Sequence, residues 1–160
     1  MLNDDIFGQI QFEIMWQKKD NYFLYGKEFE ITLFIQGEKD EAPTNIQKEA
    51  YISFINKKVI LMSEIEEKVF EYYQTVCAEY REMYGEEADL YAPIVDEPSQ
   101  LVGFVKPQSI MIPRSKDKRI INVLFKTKWD LEMGIGIQLV NERIEIVGVQ
   151  SCLLYTSPSP

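Results

Sequence analysis

Histidine does not occur in this sequence of 160 residues. Its absence removes the commonest general base, the usual partner of a nucleophilic serine or cysteine, and the commonest metal ligand. Serine, cysteine and zinc chemistry lose their usual footing together. Cysteine is scarce too, with only Cys77 and Cys152. No apolar run approaches the roughly 20 residues needed to span a bilayer. The opening MLNDDIFGQ carries two aspartates and no basic n-region, unlike a signal peptide. Cations are outnumbered, 17 Lys and Arg against 26 Asp and Glu, for a net charge of −9. Such a chain repels nucleic acid and anionic membrane and attracts basic partners.

The last nine residues, CLLYTSPSP, neither alternate nor carry charge. Back-translated as TGT CTC TTA TAC ACA TCT CCG AGC CCA, Cys152 to Pro160 resembles read-through of a transposon-based sequencing adapter. The adapter's two preceding bases, CT, then close codon 151, which restricts that residue to Ser, Pro, Thr or Ala; residue 151 is Ser. The expected organisation is therefore one domain over 1–151, truncated at its C-terminus, and a non-native tail over 152–160. Without the tail only Cys77 remains, which rules out a stapling disulfide and points to a reducing, cytoplasmic setting.

With 46% hydrophobic residues and 12% aromatics, the composition can bury a sizeable core in a single domain. The first third alternates. Ile10, Phe12, Ile14 and Trp16 are apolar between polar neighbours, and Phe29, Ile31, Leu33 and Ile35 repeat the pattern. Period two marks strands with one wet face. Lys18 to Asn21 and Gly26-Lys27 have turn chemistry, so a three-strand meander is expected over Gln9–Trp16, Tyr22–Tyr25 and Glu28–Ile35.

Two helices come next. Thr44 with Gln47 forms a capping box before Ile46, Ala50 and Phe54, and Ser63 with Glu66 forms another. From there Ile65, Val69, Tyr72, Val76, Tyr80 and Met83 step at helical spacing, with Gly85 as a C-terminal stop. Cys77, beside this stripe, reads as a small buried filler. A weak helical turn is expected around Ser99 to Val105. Strand character then returns at Ser109–Ile112, Arg119–Lys126, Ile135–Val140 and Arg143–Val149, the last two joined by an Asn141-Glu142 turn. The expected fold class is α+β: an antiparallel sheet of N-terminal meander and C-terminal hairpins, with two central helices packed on one side.

Charge is uneven. Residues 61–97 hold 11 acidic and 2 basic side chains, a local −9, whereas residues 98–160 are net +3. Asp130 and Glu132, in WDLEMGIGI, are the one acid pair set between an aromatic and glycines. They fit either a tight connection anchored by Trp129 or, less well, a divalent-cation site. The GIG of Gly134 to Gly136 lacks the third glycine and the helix of a dinucleotide fingerprint. Glu86, Glu87 and Asp89 lack the ligand spacing of an EF-hand. Lys57-Lys58 and Lys116 to Arg119 are too short to read as nucleic-acid patches. Tyr72 and Tyr80 fall on the buried stripe, leaving Tyr73, Tyr84 and Tyr91 as interface candidates.

The acidic helix ending EEADLYAPIV, the stretch VKPQSIMIPR and the closing WDLEMGIGIQLVNERIEIVG resemble, over Ile6 to Gln150, a family of small bacterial domains of unknown function. That family is similar to immunity proteins of bacterial polymorphic-toxin systems. The resemblance implies neutralisation of a toxin and transfers no active site. Together with the charge, it makes the expected protein a non-enzymatic, cytoplasmic, acidic binding protein without cofactor. Its expected partner is a basic protein such as a toxin domain, bound through Glu67, Glu71, Tyr73, Tyr84, Glu86, Glu87, Asp89 and Tyr91. The alternatives are a small metal-dependent enzyme using Asp130 and Glu132, or a structural module of a longer protein.

Overall fold

In the computed structural model, which describes residues 2–12 and 15–153, eight strands lie side by side in chain order. They are β1 (Leu2–Asp4), β2 (Gly8–Phe12), β3 (Trp16–Leu24), β4 (Lys27–Ile35), β5 (Val105–Ile112), β6 (Ile120–Thr127), β7 (Ile135–Val140) and β8 (Arg143–Gly148). Strands β3 to β8 form the body of the sheet. The short β1–β2 ladder extends it through two pairings, Gln11 with Gln17 and Phe12 with Trp16. Every neighbouring pair is antiparallel except β4–β5, which is parallel in register from Thr32–Ser109 to Ile35–Ile112. Parallel neighbours need a crossover connection. Helices α1 (Asn45–Asn56), α2 (Lys58–Tyr84) and the short α3 (Ala88–Tyr91) lie within it. The α+β class expected from the sequence is the observed one, mostly antiparallel with this single parallel seam.

Period two governs which strand residues meet the helices. Ile31, Leu33 and Ile35 of β4 are buried, as are Ile121, Val123 and Phe125 of β6 and Ile135, Ile137 and Leu139 of β7. They form one core with Ala50 and Phe54 of α1 and with Leu61, Ile65, Val69 and Tyr73 of α2. Among the described residues no helix is long and apolar enough to cross a membrane.

The expected Thr44–Gln47 capping box is present, and it does more than cap. Gln47 is buried; its Oε1 accepts from the Thr44 N–H (2.9 Å), while its Nε2 donates to the carbonyl oxygens of Gln36 (2.8 Å) and Ile112 (3.1 Å). One side chain thus joins the start of α1 to the ends of both strands of the parallel seam. The Asn141-Glu142 turn also appears, both residues at positive φ between paired Val140 and Arg143.

Several expectations fail for identifiable reasons. Lys18 to Asn21 is not a turn. β3 runs straight through it, paired with β4 from Trp16–Ile35 to Leu24–Lys27. Its polar side chains have partners: Lys18 donates to the Phe7 carbonyl, Lys19 to Thr32, and Asp20 accepts from the Tyr51 hydroxyl. Cross-strand pairing therefore overrides local turn preference. The reversal falls instead on Tyr25-Gly26, both at positive φ, as a two-residue hairpin turn requires. Of the strand expected over Gln9–Trp16, β2 covers the residues to Phe12 and Trp16 opens β3; Glu13 and Ile14 lie outside the described residues. Ser63 does not cap a helix, because α2 begins at Lys58, directly after α1. The turn expected near Ser99 is a 3₁₀ turn over Pro98–Leu101, and β5 starts earlier than expected, with a bulge between Pro107 and Ser109.

Replacing Gln47 with alanine leaves the Gln36 carbonyl and the Thr44 N–H without the partner Gln47 gives them, and takes from the buried Ile112 carbonyl one of its two donors, the other being the Gln36 N–H. We expect Gln47→Ala to cost about 2–4 kcal/mol, read as a lower urea midpoint with an unchanged slope.

Candidate functional site

The acidic segment becomes the outer surface of α2 and the turns beyond it. Glu64, Glu67, Glu71, Glu79, Glu82, Glu86, Glu87 and Asp89 are all exposed. At 1.5 Å per residue the 27 residues of α2 make a ridge of about 40 Å. Its buried residues, Leu61, Ile65, Val69, Tyr73 and Cys77, repeat strictly every four. Four residues turn a helix by about 40° more than a full turn. The contact stripe therefore slants around α2 as it crosses the sheet, along one of the i±4 ridges.

That slant corrects the tyrosine assignment. Tyr73, expected at an interface, is wholly buried; its hydroxyl donates to the Pro93 carbonyl and its ring packs at 4.6 Å on Trp129. Tyr72, Val76 and Tyr80, expected in the core, are only half-buried, and Met83 is 70% exposed. Cys77 is the buried filler expected, its Sγ against the Pro93 carbonyl (3.6 Å).

The half-buried row faces the connection between β6 and β7. There Trp129 is sunk into the core, and the hydroxyls of Tyr80 and Tyr84, one turn apart, clasp the backbone and side chain beside it. Tyr80 donates to Asp130 Oδ2 (2.7 Å) and Tyr84 to the Trp129 carbonyl (2.7 Å). Asp130 Oδ1 accepts from the Met133 N–H (3.0 Å), and the Asp130 carbonyl accepts from Gly134 N–H and the Thr127 hydroxyl (both 3.0 Å). Gly134 sits at φ +54, where an added Cβ would run into the Phe125 carbonyl oxygen. WDLEMG is thus a tight connection, and both Asp130 oxygens are occupied in holding it.

Between this connection and α2 lies a cleft of about 510 Å³. Its walls are Tyr72, Val76, Tyr80 and Tyr84, with Met83 and the 76% exposed Leu131 at the rim. Three carboxylates line it, Glu79, Asp130 and Glu132, and among the described residues no cation does. Tyr84 also stacks on Tyr91 at 4.7 Å, so the turn bearing Glu86, Glu87 and Asp89 adjoins the same end of α2.

The other candidates are placed differently. Glu67 lines a groove of about 380 Å³ that also contains Lys68 and Arg143, and Glu71 pairs with Lys68 at 3.1 Å. Charge there is mixed. Asp89 pairs with Arg81 at 2.8 Å. Among the described residues no ion pair engages Glu64, Glu67, Glu79, Glu82, Glu86 or Glu87. The cations of the last strands turn instead to Glu41 and Glu142, as Arg114 and Arg119 do. Among the described residues no group of three carboxylate, thiol or imidazole ligands gathers as a metal site. Sequence reasoning missed Glu79, Leu131 and the outward-facing Tyr80. The available signal was an apolar band wider than one buried stripe needs.

The Tyr80 hydroxyl is held protonated well above the ordinary tyrosine range, first by burial and then by its bond to Asp130. Because its folded pKa lies above the unfolded value of about 10, its contribution is intact below that pH and is lost as pH rises through the folded value. Tyr80→Phe is therefore expected to cost about 1 kcal/mol at neutral pH. That difference should shrink in denaturation curves taken above pH about 10. Gly134→Ala is expected to cost roughly 3 kcal/mol or more, since a backbone carbonyl must move to admit the methyl; a midpoint close to that of the unaltered protein would contradict the tight packing.

No curated protein and no solved structure gives a match to this chain. A family profile matches residues 6–154, which include strands β2 to β8, both long helices and the clasped WDLEMG connection. On that coverage, the chain belongs to the family described as Domain of unknown function (DUF6985).

Proposed function

We propose that this chain is a non-catalytic binding protein that captures a basic protein partner on the cleft at the C-terminal end of α2, as an immunity-type inhibitor covers a basic toxin domain. The observation that carries the reading is the lining of that cleft. Glu79, Asp130 and Glu132 share it with three tyrosines and exposed Met83 and Leu131, with no cation among these described residues. An arginine or lysine of a partner finds a carboxylate there for its charge and an aromatic face for its stem. The exposed methionine and leucine supply the apolar contact that charge alone lacks. Carboxylates along the α2 ridge then steer the encounter from a distance. Inhibition by coverage requires no nucleophile, base or cofactor, in keeping with a chain that has no histidine.

The second reading, a metal-dependent enzyme, draws on Asp130 and Glu132 lying in one cleft. Asp130 supports it poorly, since Tyr80 and the Met133 amide already engage both of its oxygens. Calorimetric titration with magnesium, manganese and calcium separates the two readings, saturable binding favouring the enzyme.

The direct test is co-expression with the product of the reading frame immediately upstream, with association rates measured at low and physiological ionic strength. Tight binding is expected. Glu79→Lys combined with Glu132→Lys should slow association about tenfold or more at low salt. Glu64→Lys, far along the ridge, should act weakly. Equal loss at both places, or a rate indifferent to all three, would overturn the cleft as the contact.

A further inference from the structure

The opposite face of the sheet holds a second cavity, unrelated to the acidic cleft in its chemistry. It measures about 300 Å³; Met111, Leu124 and Met133, with Leu153 of the stretch expected to be non-native, give it apolar walls, and Glu132, Gln150 and Ser151 line it beside Asn122. Methionines at two of these positions give the walls an adaptable shape. Across the strands beneath it runs a row of three paired residues: Met111 of β5, Asn122 of β6 and Gln138 of β7.

Asn122 is wholly buried yet polar, at 0% exposure. Its Oδ1 accepts from Gln138 Nε2 at 3.0 Å, which fixes the orientation of the amide. With the oxygen turned toward β7, the nitrogen turns away from Gln138, to the side where Met111 and the cavity lie. That Nδ2 has no hydrogen-bond partner among the described residues. A buried donor left unmade is costly, and few occur in folded proteins.

We propose that this cavity is a binding site for a small, neutral, apolar molecule carrying one carbonyl acceptor, which receives the Asn122 amide. The chemistry narrows the class. An anion is disfavoured by Glu132, which also lines the cavity. A ketone, ester or tertiary amide needs only one donor and an apolar surround, the usual composition of a small-molecule pocket. Segment 150–153 forms the roof. Gln150 Nε2 donates to the Phe125 carbonyl (2.9 Å), and its backbone N–H to the Met133 carbonyl (2.9 Å). A ligand seated beneath would therefore also fasten this segment to the sheet.

The test is an amide-resolved NMR titration of the full chain with acetophenone, using ethylbenzene as the same shape without the acceptor and benzoate as the charged analogue. Acetophenone is expected to shift the Asn122 side-chain NH₂ signals and to bind about five- to tenfold more tightly than ethylbenzene; benzoate should be weaker than either. Asn122→Leu should abolish that discrimination. Should that variant fail to fold, Met133→Phe, which fills the cavity and leaves Asn122 in place, should abolish binding of both neutral probes. Equal affinity for acetophenone and ethylbenzene would overturn the proposal, as would an undisturbed Asn122 signal. So would a bound water, or contacts from residues 154–160, satisfying the Asn122 amide and persisting when acetophenone is added.

Discussion

The parallel pairing of β4 with β5 is the constraint on which the rest of this structure depends. Two antiparallel meanders meet along it, and their strands point the same way only because the chain leaves the end of β4 and returns to the start of β5. Residues 36–104 make that return, and they must travel the length of the sheet. A return of that kind is most economically helical, since a helix satisfies its own backbone while covering the apolar face. Gln47 marks the dependence in one side chain: the residue that begins the helical return also holds the carbonyls where the two strands end.

The acidic surface derives from the same geometry. A helix laid obliquely over a twisted sheet contacts it along a slanting ridge, so its apolar band diverges from the sheet toward one end. At the C-terminal end of α2 the diverging side chains, Tyr72, Val76 and Tyr80, are left half-covered and face the β6–β7 connection across a gap. The cleft is thus the space where two packing surfaces part. Glu79 is there in any case, because the outer side of the helix must be polar, and the connection adds Asp130 and Glu132. Function in the proposed sense needs only that the partner bring the cations.

Much of this is legible in the sequence. Alternation locates β4, runs of strand character locate the C-terminal strands, and Thr44 with Gln47 locates the start of α1, because these signals arise from residues close together in the chain. Lys18 to Asn21 misleads, because the strand there is held by β4, Phe7 and Tyr51, none of which a local reading weighs. The exchange of Tyr72 for Tyr73 has a similar origin. Sequence periodicity assumes a straight stripe along a helix, while the stripe here advances by about 40° at each step. The cleft itself is half-visible. Tyr84, Asp130 and Glu132 each stand out separately along the chain, but their convergence depends on how α2 crosses the sheet, which no spacing encodes.

Strand order carries a consequence for how the chain reaches this state. Because the strands lie in sequence order, each meander closes through short reversals, Tyr25-Gly26 in one and Asn141-Glu142 in the other, and neither waits on the other to form. Among the strand pairings of the described residues only the seam joins distant parts of the chain, across a separation of 77 residues between Thr32 and Ser109. The entropy of closing so large a loop falls on a single step. The molecule is in this sense two quick halves and one slow marriage, and the speed of its folding is set by how soon the helical bridge is laid between them.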